Sequence, residues 1–211
     1  MTERLYYESD ATEGRARIVR CTEEPDGRYA VVVDRTLFHP QGGGQPADKG
    51  WLADAEVEDV ILRADNLLHI VRQPLSPGEV EMRLDADNRQ INSRWHSAGH
   101  LVGYAGELYG WKPVKAHHWP GEGRVSFRAG SYAAVPGAGA LVEYIEGWCE
   151  KRLVRHIAFE NNLRNVRFGE LAAYGCGGTH VKNLADIGSV LITGIKLKKG
   201  ELNIRYALTP P

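Results

Sequence analysis

No run of apolar residues in this chain approaches the ~20 that a membrane-spanning helix requires. Its first residues, MTERLYYESDATEG, hold no apolar core of the kind a secretory leader needs. Both absences make a soluble, cytoplasmic protein the expectation, with no membrane among its partners. Cysteine is scarce: Cys21, Cys149 and Cys176 stand far apart in 211 residues, an odd and sparse set that excludes a disulfide framework. Cys21 falls in an apparent strand and Cys149 in an apparent helix, where a free thiol behaves as a small apolar side chain. Internal repeats and low-complexity tracts are lacking too. A net charge of −1 would argue against a nucleic-acid partner if charge were spread evenly, and it is not. Residues 1–88 carry 10 Lys+Arg against 18 Asp+Glu, a net of −8, whereas residues 89–211 carry 16 against 9, a net of +7. Phosphate binding responds to local field rather than to the total. The asymmetry is compatible with an RNA-facing second half, and equally with solvated faces that differ in sign.

The first 85 or so residues read as β-structure. Ala16–Cys21 and Tyr29–Val33 are short β-prone runs split by the turn former Pro25-Asp26-Gly27, and further runs follow at Ala55–Leu62, Leu67–Val71 and Val80–Leu84. Short strands at this spacing predict a small sandwich or barrel. From Asp85 the period changes. Asp87 is the expected N-cap of a helix to about Tyr109, with Ile91, Trp95, Ala98, Leu101, Val102, Ala105 and Leu108 at helical spacing. A second helix is expected from Ala138 to about Leu163, and Val125-Ser126-Phe127 is expected in a strand. Two closing strands, Val190–Ile195 and Leu202–Ala207, flank a Lys198-Lys199-Gly200 turn. The predicted class is α+β: a β-barrel domain over 1–86, then an α/β two-layer, zinc-binding domain over 87–211.

The strongest chemical signal is a pair of pairs. His96 and His100 lie at i and i+4 of the first helix, on one face and about 6 Å apart, close enough to grip one ion. Far downstream, Cys176-Gly177-Gly178-Thr179-His180 adds a thiolate and a third imidazole across a glycine turn. Imidazole with thiolate selects a borderline-soft ion, zinc being the usual occupant, at one per chain. Either pair alone reads more readily as ordinary surface. The other histidines, His39, His69, His117, His118 and His156, lack this pairing and are read as structural or surface residues. Ser97 stands where zinc peptidases of the helical-pair type carry their general-base Glu, which excludes that class.

These motifs resemble the zinc signature of alanyl-tRNA synthetase editing domains and of the stand-alone AlaX trans-editing proteins. An independent match lies at Phe38-His39-Pro40-Gln41-Gly42-Gly43-Gly44-Gln45-Pro46-Ala47-Asp48-Lys49-Gly50, similar to the glycine-rich motif of the same family. The two span Phe38 to His180. With no aminoacylation domain ahead of them and no long extension behind, the chain is most similar to the medium AlaX form. Gly99, mid-helix at a cost of about 1 kcal/mol against Ala, is expected to mark close packing against the barrel domain. The resemblance implies zinc on His96, His100, Cys176 and His180, and substrate contacts from Gly42, Gly43, Gly44, Gln45 and Thr179, with Gln45 sensing a serine hydroxyl. It implies a deacylase that hydrolyses the ester of alanine tRNA mischarged with serine or glycine. An alanine pocket rejects such residues weakly, so a second hydrolytic site is needed. Mischarged tRNA is the implied partner, and no DNA is expected.

Zinc in such a site can polarise the ester carbonyl, lower the pKa of a water or orient the substrate. Four protein ligands would close the coordination shell, so either one ligand is loose, with His180 the candidate because it ends the turn, or zinc serves mainly to position the substrate. Two other readings remain open at this point: a non-catalytic tRNA-binding module with structural zinc, and a zinc hydrolase of small acyl compounds.

Overall fold

The computed structural model describes residues 1–209. The chain is mixed α and β, mostly strands, with two α-helices among the described residues. It divides into two compact units, residues 1–42 with 46–90, and residues 43–45 with the chain from 91 onward. Three residues of the glycine-rich motif, Gly43–Gln45, therefore belong with the second unit.

In the first unit, β1 (Glu3–Arg4) and β4 (Arg35–Thr36) form a short parallel ladder. Six longer strands close a barrel: β2 (Glu13–Glu23), β3 (Tyr29–Val33), β5 (Gly50–Leu52), β6 (Ala55–Arg63), β7 (Asn66–Val71) and β8 (Gly78–Leu84), in the order β2-β3-β7-β6-β5-β8. Every neighbouring pair is antiparallel, and closure removes the exposed edges of an open sheet. Alternation along each strand sets what fills the interior. On β8, Val80, Met82 and Leu84 are buried while Glu79, Glu81 and Arg83 stand outside. The β6–β7 hairpin turns on Ala64 and Asp65, both at positive φ (45° and 64°), a two-residue turn matched to strand twist.

His69 is fully buried in this unit and satisfied on both nitrogens. Nδ1–H donates to the Val31 carbonyl at 3.2 Å and Nε2 accepts the Thr36 hydroxyl at 2.7 Å. Burial pushes its pKa down to about 4. The unfolded chain takes up this proton near pH 6.5. Between those values the unfolded state binds more protons, so stability is fully present above pH 6.5 and falls toward pH 4, by up to roughly 3 kcal/mol. His69→Gln is expected to flatten that acid limb. Urea unfolding of both proteins at pH 7 and 4.5 checks it, and an equal loss in the variant would assign the acid sensitivity elsewhere.

The helix α1 (Ala86–Glu107) is capped by Asp85 rather than by Asp87: Asp85 Oδ1 accepts the Asn88 N–H at 2.9 Å. Ala98, Leu101, Val102 and Ala105 are buried on it, whereas Ile91 and Leu108 are exposed. In the second unit β9 (Trp111–His117), β10 (Arg124–Ala129), β14 (Val190–Lys198) and β15 (Glu201–Leu208) form an antiparallel sheet in the order β14-β15-β10-β9. A smaller sheet holds β11 (Arg155–Glu160), β12 (Leu163–Phe168) and β13 (Tyr174–Gly175).

The second helix, α2, covers Ala138–Glu150 and stops short of the expected Leu163. Arg152 adopts φ 53°, which ends it, and residues beyond it pair as the β11–β12 hairpin around Asn161 and Asn162, at φ 51° and 63°. Leu153, Ile157 and Phe159 matched a helical period by coincidence, and the Asn-Asn pair was the turn signal that outweighs it. Among the described residues no helix is long and apolar enough to cross a membrane.

Candidate metal centre

The helix α1 places His96 and His100 one turn apart, ring centroids 5.1 Å apart. The turn after β13 carries Cys176 and His180 onto the same point. His180 Nε2 lies 3.2 Å from His100 Nε2, and Cys176 Sγ lies 3.4 Å from His96 Nε2 and 3.8 Å from His180 Nε2. The four ligand atoms all fall within 4.8 Å of one another, so the group could hold a metal ion. The tight turn depends on Gly178, because a Cβ there would collide with the His96 ring.

Burial keeps the imidazoles in the form that can bind a metal. Burial pushes the His100 imidazole down to about 3 and His180 well below its usual value, with neighbouring charged and ring groups adding to the shift. Both rings are thus neutral near pH 7, with lone pairs available. Burial pushes the Cys176 thiol up, so its thiolate needs a positive charge beside it. Two Nε2 atoms at 3.2 Å with a sulfur beside them are a crowd of acceptors, and a metal ion satisfies all of them at once.

Gln45 supports this cluster from behind. Its side chain is fully buried, and Oε1 accepts from both His96 Nδ1–H (2.6 Å) and the Thr179 N–H (3.0 Å). The Gln45 amide donates in turn to Thr179 Oγ1 (2.9 Å), which also meets Ser93 Oγ (2.9 Å). Since a carboxamide oxygen only accepts, His96 carries its proton on Nδ1 and presents a bare Nε2 to the cluster. Ser97 Oγ accepts the Val181 N–H at 3.1 Å, tying α1 to the end of the turn.

Two arginines outside the motifs hold the same turn. Arg164 Nη1 donates to the carbonyls of Cys176 (2.7 Å) and Gly178 (3.0 Å), and Arg155 Nη1 donates to that of His180 (2.7 Å). His180 is further packed by the rings of His96, His100 and Phe168. Its Nδ1 has no hydrogen-bond partner among the described residues, whereas that of His96 is held by Gln45. Nothing in the local pattern flags Arg164, the second residue of β12.

A cleft of about 380 Å³ opens over the cluster, lined by His96, His100 and Cys176, by Gly43 from the glycine-rich motif, and by Tyr174 and His118. Gly44 sits at φ 81° with its Cα close to the Ala116 carbonyl, where a Cβ would approach to 2.5 Å, and its own carbonyl accepts the His118 N–H. Of the expected substrate contacts only Gly43 is among the cleft residues; Gly42, Gly44, Gln45 and Thr179 are not. His117 is half-buried and pairs with Glu122, whereas His118 is buried against His96, their ring centroids 4.4 Å apart. His118 is the site residue that spacing alone missed.

Residues 163–203 match the family model described as the threonyl and alanyl tRNA synthetase second additional domain. Over nearly its whole length, 96%, the chain is 30% identical to the alanyl-tRNA editing protein AlaX-M of Pyrococcus horikoshii, covering 93% of that protein. It is also 30% identical to the alanyl-tRNA editing protein Aarsd1 of Bos taurus and 28% identical to the alanine–tRNA ligase of Haloquadratum walsbyi. It covers only 54% and 24% of those longer proteins. With both motifs, the clustered ligands and a likeness that runs end to end along AlaX-M, the chain belongs to the AlaX-type family of alanyl-tRNA editing proteins.

Proposed function

We propose that the protein hydrolyses the ester linkage of alanine tRNA mischarged with serine or glycine, acting in trans, with one zinc ion held by His96, His100, Cys176 and His180. The observation that carries this reading is the meeting of two distant residue pairs on one buried point, beneath a cleft that admits a small aminoacyl group. Bound zinc would supply Lewis acidity beside the ester carbonyl. The chain's own residues do the rest. His96, oriented by Gln45, fixes the direction of the donor set. Gly43 keeps its part of the cleft wall to bare backbone, so the aminoacyl group can approach closely, and Gly44 lets that loop lie against Ala116. The unequal charge of the two halves supports a tRNA partner met through the second, where Lys196, Lys198 and Lys199 are exposed. Arg155 is engaged with the His180 carbonyl and serves the turn first.

Release of labelled serine from seryl-tRNA for alanine tests the reading. Turnover is expected there, with much slower release from correctly charged alanyl-tRNA. Binding without turnover would favour a tRNA-binding module with structural zinc. Turnover of small acyl esters with no preference for the tRNA would favour a general acyl hydrolase.

A further inference from the structure

Gly99 occupies the middle of α1, where glycine costs about 1 kcal/mol against alanine. Its reason lies inside the second unit, not in packing against the barrel: a Cβ at this position would collide with the His118 ring and lie 2.8 Å from the Tyr206 hydroxyl. The helix yields space so that His118 can sit flat against His96, at the cleft. What His118 presents there follows from its hydrogen bonds. Tyr206 Oη donates to the Trp95 carbonyl at 2.9 Å, and a carbonyl can only accept. The phenol proton is therefore spent, and the 2.8 Å contact between His118 Nδ1 and Tyr206 Oη has Nδ1–H as donor. In the neutral imidazole that leaves Nε2 unprotonated, and this atom has no hydrogen-bond partner among the described residues.

Most of the other polar side chains lining the cleft are committed. His96, His100 and Cys176 face the metal cluster, Tyr174 donates its hydroxyl to Glu107 at 2.7 Å, and Lys115 can only donate. The Gln45 amide is taken up by His96 and Thr179. The side-chain acceptors left are His118 Nε2 and the Tyr174 oxygen, whose proton is spent on Glu107 as that of Tyr206 is spent on Trp95.

We propose that His118 determines amino-acid specificity by accepting the side-chain hydroxyl of a mischarged serine, an inference that rests on the deacylase reading above. Alanine and glycine bring no such donor. Once the cleft is filled they leave Nε2 without a partner, and a site built around a hydrogen bond rejects a ligand that lacks it. Tyr206 is a positioning residue: by accepting from Nδ1–H it fixes both the tautomer and the ring plane.

The test compares kcat/KM on seryl-, glycyl- and alanyl-tRNA for alanine in the wild type, His118→Phe, His118→Gln and Tyr206→Phe, with metal content and melting temperature recorded for each. His118→Phe keeps a flat ring but no acceptor, and is expected to lower the serine-to-glycine ratio about 10- to 100-fold. His118→Gln, with an amide oxygen near the Nε2 position, should recover part of the ratio. Tyr206→Phe leaves the imidazole in place but unlocked, and should narrow the ratio in the same sense even if His118→Phe does not fold. An unchanged ratio in both His118→Phe and Tyr206→Phe, or in Tyr206→Phe alone where His118→Phe does not fold, would overturn the proposal. So would proportional loss on all three substrates, which would assign His118 to the attacking water or to the fold. A wild-type protein inactive on seryl-tRNA would defeat the deacylase reading itself, whatever the variants do.

Discussion

Replacing His96 and Cys176 together by alanine is expected to abolish both metal binding and deacylation. The pair removes one donor from α1 and one from the turn, leaving only the two imidazoles of His100 and His180 where four donors stood. Metal analysis should fall from about one zinc per chain to background. Activity should fall by more than about a thousandfold, beyond what loss of a single transition-state donor costs. A chelator supplies the control for folding. In the wild type it should lower the melting temperature, because metal that binds only the folded state stabilises that state by mass action. In the double variant the same chelator should change nothing. Full zinc content in the double variant would mean that these residues are not ligands.

Gln45→Ala is expected to damage the metal site and the fold together. The substitution leaves His96 Nδ1–H and the Thr179 N–H facing a void where Gln45 is fully buried. Each stranded donor costs about 1–3 kcal/mol. Release of the His96 ring should weaken zinc affinity by roughly 10–100-fold, the usual effect of losing a group that orients a ligand. Competition against a chromophoric chelator measures the affinity, and chemical unfolding the stability. Because the fault lies in the metal site, activity on serine and glycine should fall in parallel. Normal zinc affinity with a loss confined to serine would instead make Gln45 the hydroxyl sensor that its motif suggested. The same assay on His118→Phe gives the converse pattern, so the two residues are distinguished within one experiment.

Much of the site was legible in residue order because its chemistry is local. An i, i+4 histidine pair is already half a chelate once a helix forms, and a cysteine and histidine across two glycines form the other half. The barrel strands were legible for a related reason: inside–outside alternation, as in Val80, Met82 and Leu84, is a period-two pattern that needs no knowledge of the partner strand. The stretch after Glu150 was misread because Leu153, Ile157 and Phe159 fit a helical period, while the left-handed backbone of Arg152, Asn161 and Asn162 decides otherwise. Asn161-Asn162 was a readable turn signal, but nothing about Arg152 announces positive φ.

What residue order determined by itself is the candidate donor set: the pairing of His96 with His100 and of Cys176 with His180, whose ligand atoms meet where they could hold a metal ion. Those pairings depend on side-chain type and short-range spacing. The tertiary structure alone decided what stands around the donors. Arg164 reaches the Cys176 and Gly178 carbonyls from another strand, Gln45 spans 51 residues to His96, and His118 takes its tautomer from Tyr206, 88 residues away. Each of these contacts joins segments that no local period relates, and the last also needs the missing Cβ at Gly99, where a side chain would meet the His118 ring and the Tyr206 hydroxyl.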